Sequence, residues 1–118
     1  DEQKKVIAEL KEKQNADGGW CLPSLGNYKR RDKSANDPAS PSDGYGTGFV
    51  VYVLRQAGVS ADDAAVAKGV TWLKSNQRAS GRWYTRSLTN DAAHYITNAG
   101  TAFCVMALDA CGEKVGRR

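Results

Sequence analysis

Leu10-Lys11-Glu12-Lys13-Gln14-Asn15-Ala16-Asp17-Gly18-Gly19-Trp20 recurs 63 residues later as Leu73-Lys74-Ser75-Asn76-Gln77-Arg78-Ala79-Ser80-Gly81-Arg82-Trp83. Leu, Lys, Gln, Ala, Gly and Trp keep their places in both copies. A second pair of segments follows. Thr47-Gly48-Phe49-Val50-Val51-Tyr52-Val53-Leu54 aligns with Thr101-Ala102-Phe103-Cys104-Val105-Met106-Ala107-Leu108, now 54 residues on, and Gly58 falls on Gly112. The nine-residue difference lies between the matched segments, so the first connection is the longer. The chain is two copies of one unit.

Each unit reads as two helices. Val6, Ile7 and Leu10 among Lys4, Lys5, Glu9, Lys11 and Lys13 give an amphipathic helix, and Ala64, Val66, Val70, Trp72 and Leu73 with Lys68 and Lys74 give another. Helices of this kind pack one stripe inward and keep the other wet. Thr47 to Ala57 and Thr101 to Cys111 are apolar nearly all round, and each stops at a glycine suited to a C-cap. Such helices are expected to be buried on most sides. The pattern predicts helices over 4–15, 46–57, 61–76 and 98–111, with Ser60 capping the third and Asp63 in its first turn. Pro23, Pro38 and Pro41 keep 21–43 irregular. The fold expected is all-α: tandem helix pairs, about 1–58 and 59–118, forming part of an α/α toroid with amphipathic helices outside and apolar helices inside.

Lys68-Gly69-Val70-Thr71-Trp72-Leu73 running on through Gln77 to Gly81-Arg82-Trp83 resembles the QW repeat of the squalene cyclase and prenyltransferase superfamily, and Gln14 to Gly18-Gly19-Trp20 gives a second match. The resemblance covers most of the chain outside 21–43. It implies that Gln14, Trp20, Gln77 and Trp83 are structural clamps. The amide bonds backbone groups at a neighbouring helix end, where unpaired N–H and C=O groups collect, and the indole shields those bonds. Rings of that family hold about five to seven helix pairs, so other toroid repeats of the same protein, or further subunits, are the expected partners. The chain opens on Asp1 in place of an initiator Met, which adds the expectation that its N-terminus was trimmed.

No catalytic motif is present. Asp62-Asp63 is not the D-x-D-D acid of the alkene-protonating cyclases and reads as first-turn helix charge. Asp109-Ala110-Cys111 with His94 has the residue types of a prenyltransferase zinc site in the wrong order, so no metal and no cofactor are expected. Cys111-Gly112-Glu113-Lys114 lacks the Gln that a thioester needs, and Asp43-Gly44-Tyr45-Gly46-Thr47-Gly48 has no preceding strand to make it a phosphate loop. The bland reading of that turn has Asp43 or Thr47 capping the helix. In ring folds the cavity mouth lies at the entries to the inner helices, which selects Asp43, Tyr45, Asp91, His94, Tyr95 and Asn98 as pocket candidates.

Net charge is +4, and the basic cluster Lys29, Arg30, Arg31 and Lys33 sits among Ser, Asp and Pro, so it reads as a solvated loop and no nucleic-acid partner is expected. The longest apolar runs, Phe49 to Leu54 and Ala102 to Leu108, fall far short of the roughly 20 residues of a membrane span. Three cysteines leave at least one without an intrachain partner, and Cys104 and Cys111, seven residues apart on one helix, are too distant to bridge. The leading expectation is a binding or scaffold segment of a larger ring that takes an apolar or elongated ligand, or another chain. The alternatives are part of an isoprenoid cyclase, with Trp72, Tyr45, Tyr52, Tyr84 and Tyr95 facing cationic intermediates, or a carbohydrate-acting toroid lyase.

Overall fold

The computed structural model describes residues 2–26, 32–86, 88 and 95–113. Among them are the helices α1 (Glu2–Glu12), α2 (Gly44–Gln56), α3 (Ala64–Asn76) and α4 (Tyr95–Ala110), with a short 3-10 turn at Leu22–Leu25 and no extended strand. The all-helical expectation holds, and so does the irregular 21–43 connection within its described residues.

Helix ends follow local chemistry. Asp43 caps α2, its Oδ1 accepting from Gly46 N at 2.6 Å. Gly58 and Gly112 end α2 and α4 with φ of 91° and 74°. There Val59 N reaches Leu54 O at 3.0 Å and Glu113 N reaches Leu108 O at 2.9 Å, the same six-to-one closure in both units. Three boundaries lie three residues from the sequence reading, and the others within two. α3 starts at Ala64 because Ser60 Oγ takes Asp62 N in a preceding turn, while Asp63 is the N-cap and accepts from Ala65 N. α4 starts three residues early, at Tyr95. α1 stops at Glu12, which frees Gln14 and Asn15 for the loop that follows.

The inner helices α2 and α4 pack directly on each other. Gly48 permits this, because a Cβ there would lie 2.6 Å from Cys104 N. Arg55 closes the far end, donating Nε to Ala110 O at 3.0 Å and Nη1 to Val59 O at 2.8 Å. α3 covers α2 at Gly69, where a Cβ would meet Val51 and Trp20. α1 has no buried residue and is held by Ile7 and Leu10 against the core, by the Lys11–Asp63 ion pair at 2.8 Å, and by Gln3 Nε2 on Ala57 O. The core itself gathers Trp20, Val50, Val51, Leu54, Val66, Trp72, Leu73, Trp83, Cys104, Ala107 and Leu108.

One expectation is corrected. α2 is buried along its Thr47, Val50, Val51 and Leu54 side, but α4 exposes Asn98, Ala102, Val105, Met106 and Asp109. An apolar helix is buried only where a neighbour covers it, and the described residues supply no neighbour on that side of α4.

Candidate functional site

The two Gln–Trp loops share their central bonds. Gln14 Nε2 donates to Gly18 O at 2.9 Å, and Gln77 Nε2 to Gly81 O at 3.0 Å. Trp20 Nε1 donates to Leu10 O at 2.7 Å, and Trp83 Nε1 to Leu73 O at 2.8 Å, so each indole donates to a carbonyl near the end of its outer helix, where helical partners run out. Gly18 and Gly81 turn the chain with φ of 93° and 90°, which a side chain rarely adopts. Both Trp side chains are completely buried. Gln14 reaches further, to Ala65 O in the first turn of α3 at 2.9 Å.

Two partners in these loops escaped the sequence reading. Thr47 Oγ1 accepts from Trp20 N and donates to Trp20 O, and Thr101 Oγ1 does the same with Trp83, tying each clamp to its own inner helix. The signal was present, since both threonines hold one register in the repeat. Asp17 is the other. Its carboxylate accepts from Trp72 Nε1, Gly19 N and Ser42 Oγ, binding the first loop to α3 and to the long connection. Trp72 is thereby a core residue joined to Asp17, not a wall residue for a ligand.

The pocket candidates divide. Asp43 is caught between α2 and the connection: its second oxygen accepts from Leu22 N at 2.7 Å while Asp43 N donates to Trp20 O. Burial pushes this carboxyl up to about 6, against the pull of the Leu22 and Gly46 N–H groups. With Pro23, Pro41, Tyr84 and Arg86 it lines a cleft of about 250 Å³. Tyr45 lies on the stripe described next, and Asn98 is exposed on α4. Asp91 and His94 lie outside the described residues, as does the side chain of Tyr95. Cys111 is half-buried, and burial holds its thiol above the usual range; Asp109 beside it is exposed.

Because its folded-state pKa is raised, Asp43 contributes stability that is present below the ordinary 3.8 and lost as pH rises through about 6. The slope is worth on the order of 3 kcal/mol. Asp43→Asn is expected to flatten that slope while lowering stability overall, since one amide oxygen cannot replace two carboxylate acceptors. Urea unfolding of both proteins between pH 4 and 7 reads the difference.

A stripe of aromatics occupies the side of α2 opposite its buried face. Tyr45, Phe49 and Tyr52 recur at helical spacing, and Phe103 of α4 joins them. The Phe103 ring centroid lies 5.2 Å from Tyr45 and 5.2 Å from Phe49, the latter edge-on, and 6.4 Å from Tyr52. All four rings are half-buried. Phe49 and Phe103 were read from sequence only as parts of the apolar inner helices. Tyr84 lies apart from the stripe, under the guanidinium of Arg78 at 4.9 Å.

Outer helices locked by Gln–Trp loops onto paired inner helices define a segment of the α/α-toroid class. The chain belongs to the family of the squalene-hopene cyclase C-terminal domain, whose model matches residues 1–95 and again 44–117. The two overlapping matches suit a chain that repeats itself. The chain is also similar to a squalene–hopene cyclase of Bradyrhizobium diazoefficiens, at 36% identity over 75 residues. That match covers 58% of this chain and 11% of the relative, so the chain spans about a tenth of that protein's length. It is thus a repeat segment of a terpenoid cyclase-like protein.

Proposed function

We propose that this segment contributes an aromatic wall to the apolar ligand cavity of a larger helical ring, and that it binds there without performing the chemistry. The observation that carries this reading is the stripe of Tyr45, Phe49, Tyr52 and Phe103 on the side of the inner helices turned away from the outer layer. Half-buried rings offer both apolar area and π-faces to a hydrocarbon. The relative's name joins squalene to hopene, and a ligand of that apolar, extended kind suits such a wall. Asp43, the N-cap of the helix that carries most of the stripe, has each oxygen engaged by a backbone N–H, which fits a structural part better than a proton donor.

Binding of an anilinonaphthalene dye tests the wall. Phe49→Ala combined with Phe103→Ala is expected to weaken dye binding about tenfold, or ~1.4 kcal/mol. Val6→Ser on α1, also an exposed apolar position, is expected to leave it unchanged. Equal losses from the two changes, or none from the first, would refute the reading.

A further inference from the structure

The repeat separates the residues both clamps share from those only one of them carries. Gln77, Gly81 and Trp83 have counterparts 63 residues earlier in Gln14, Gly18 and Trp20. Arg78, Arg82, Tyr84 and Arg86 do not: they stand where the first loop has Asn15, Gly19, Cys21 and Pro23. Those four are buried or half-buried, whereas all four residues of the second loop are exposed. The carboxylate of the first loop, Asp17, has Ser80 as its counterpart, so the second loop carries cations alone. From Arg82 to Arg86 burial alternates, with Trp83 and Thr85 inward and Arg82, Tyr84 and Arg86 outward, which is the period of an extended chain. The inward residues are tied to α4. Thr101 Oγ1 bonds the N–H and carbonyl of Trp83, and Thr97 Oγ1, one turn earlier, bonds those of Thr85. The outward side chains therefore form a fixed row, with neighbours ~6.8 Å apart. Arg78 folds back onto it: its N–H donates to Arg82 O at 2.8 Å, and its guanidinium lies 4.9 Å from the Tyr84 ring centre. Neither Arg78 nor Arg82 has a carboxylate partner among the described residues.

We propose that this row is a docking surface for an extended acidic segment of a partner protein, with carboxylates four residues apart facing Arg82 and Arg86 and an apolar side chain midway facing Tyr84. The spacing follows from the pleat, since two extended chains laid side by side keep the same two-residue repeat. A guanidinium offers a planar fork that a carboxylate matches with two hydrogen bonds. Arg78 adds a second cation at the Arg82 end, where two like charges on one closed turn repel until an anion lies between them. The apolar side chain has a seat, because Tyr84 and Arg86 line the cleft of about 250 Å³ together with Pro23 and Pro41. A single-stranded nucleic acid suits the row less well. Such strands stack successive bases on open aromatic faces, and this row holds one ring with Arg78 over one of its faces.

The test is an NMR titration at low salt with the peptide Gly-Glu-Ser-Leu-Ser-Glu-Gly, followed at the Tyr84 ring and the Thr85 amide. Its twin, Gly-Glu-Glu-Leu-Ser-Ser-Gly, has the same composition with its carboxylates adjacent and so on opposite faces of an extended chain. The first peptide is expected to bind at least about fivefold more tightly than the second, and Arg82→Gln to weaken it about fivefold. Lys5→Gln removes one exposed charge from α1 and is expected to leave binding unchanged, which separates the row from net charge. Four results would overturn the proposal: no binding of the first peptide, equal binding of the two, equal losses from Arg82→Gln and Lys5→Gln, or tighter binding of an oligodeoxythymidylate of equal charge at the same resonances. Arg82 and Lys5 are both exposed, so neither change disturbs the core. None of these results bears on dye binding at the aromatic stripe, so the two readings fail separately.

Discussion

Trp83→Ala is expected to lower the free energy of unfolding by ~3–5 kcal/mol, a large part of the 5–15 kcal/mol that holds a typical domain together. Three losses coincide. The indole is fully buried, so its removal opens a cavity in the middle of the core. The carbonyl of Leu73 loses the donor that satisfies it at 2.8 Å, and a buried acceptor without a partner adds its own penalty. The loop from Gln77 to Gly81 also loses the side chain that pins it to α3. Tyr84→Phe, one residue on and half in solvent, is expected to change little. Urea unfolding of the three proteins decides the matter, and a Trp83→Ala protein with wild-type stability would show that the clamp holds nothing.

Gly48→Ala sets two effects of opposite sign against each other. Helix propensity alone favours alanine by about 1 kcal/mol inside a helix. Packing opposes it, because the new methyl would sit 2.6 Å from Cys104 N and 2.9 Å from the Cys104 Cα and the Phe103 carbonyl carbon. These are backbone atoms of a packed helix, so no side chain can swing away, and overpacking costs ~1–3 kcal/mol or more. Gly46→Ala meets the backbone of Trp20, Cys21 and Leu22 at 2.7 to 2.8 Å and is expected to behave alike. Net destabilisation by both is the expected outcome in thermal melts, and stabilisation by either would mean the helices stand further apart than described.

The fold was legible because the repeat carries it. Gln14, Trp20, Gln77 and Trp83 are fixed in spacing by the turn they build, and the apolar run from Thr47 to Leu54 announces the buried side of α2. What stayed hidden depends on contacts across the chain. The start of α3 was misplaced because Ser60 has the better local pattern, while Asp63 gains Lys11 from α1 as a partner 52 residues away. Nothing in the sequence singles out Asp17, because only the packing of α3 brings the Trp72 indole to it. The aromatic stripe was half visible. Tyr45 and Tyr52 were among the rings read as able to face a cation, whereas Phe49 and Phe103, inside apolar runs, carry no polar handle to separate a wall from a core. Which side of α4 is exposed was not legible in composition, because α4 is as apolar as α2 and only the missing neighbour distinguishes them.

The claim that both units are locked by the same device is tested most directly by hydrogen exchange of the three tryptophan indole N–H groups, followed by NMR. Trp20 and Trp83, each buried and bonded to a helix carbonyl at 2.7 and 2.8 Å, are expected to exchange only through global unfolding and at closely similar rates. Trp72, bonded to the Asp17 carboxylate at 3.2 Å, is expected to exchange faster through local opening. Rapid exchange of either clamp indole while its neighbouring helices remain protected would contradict the account.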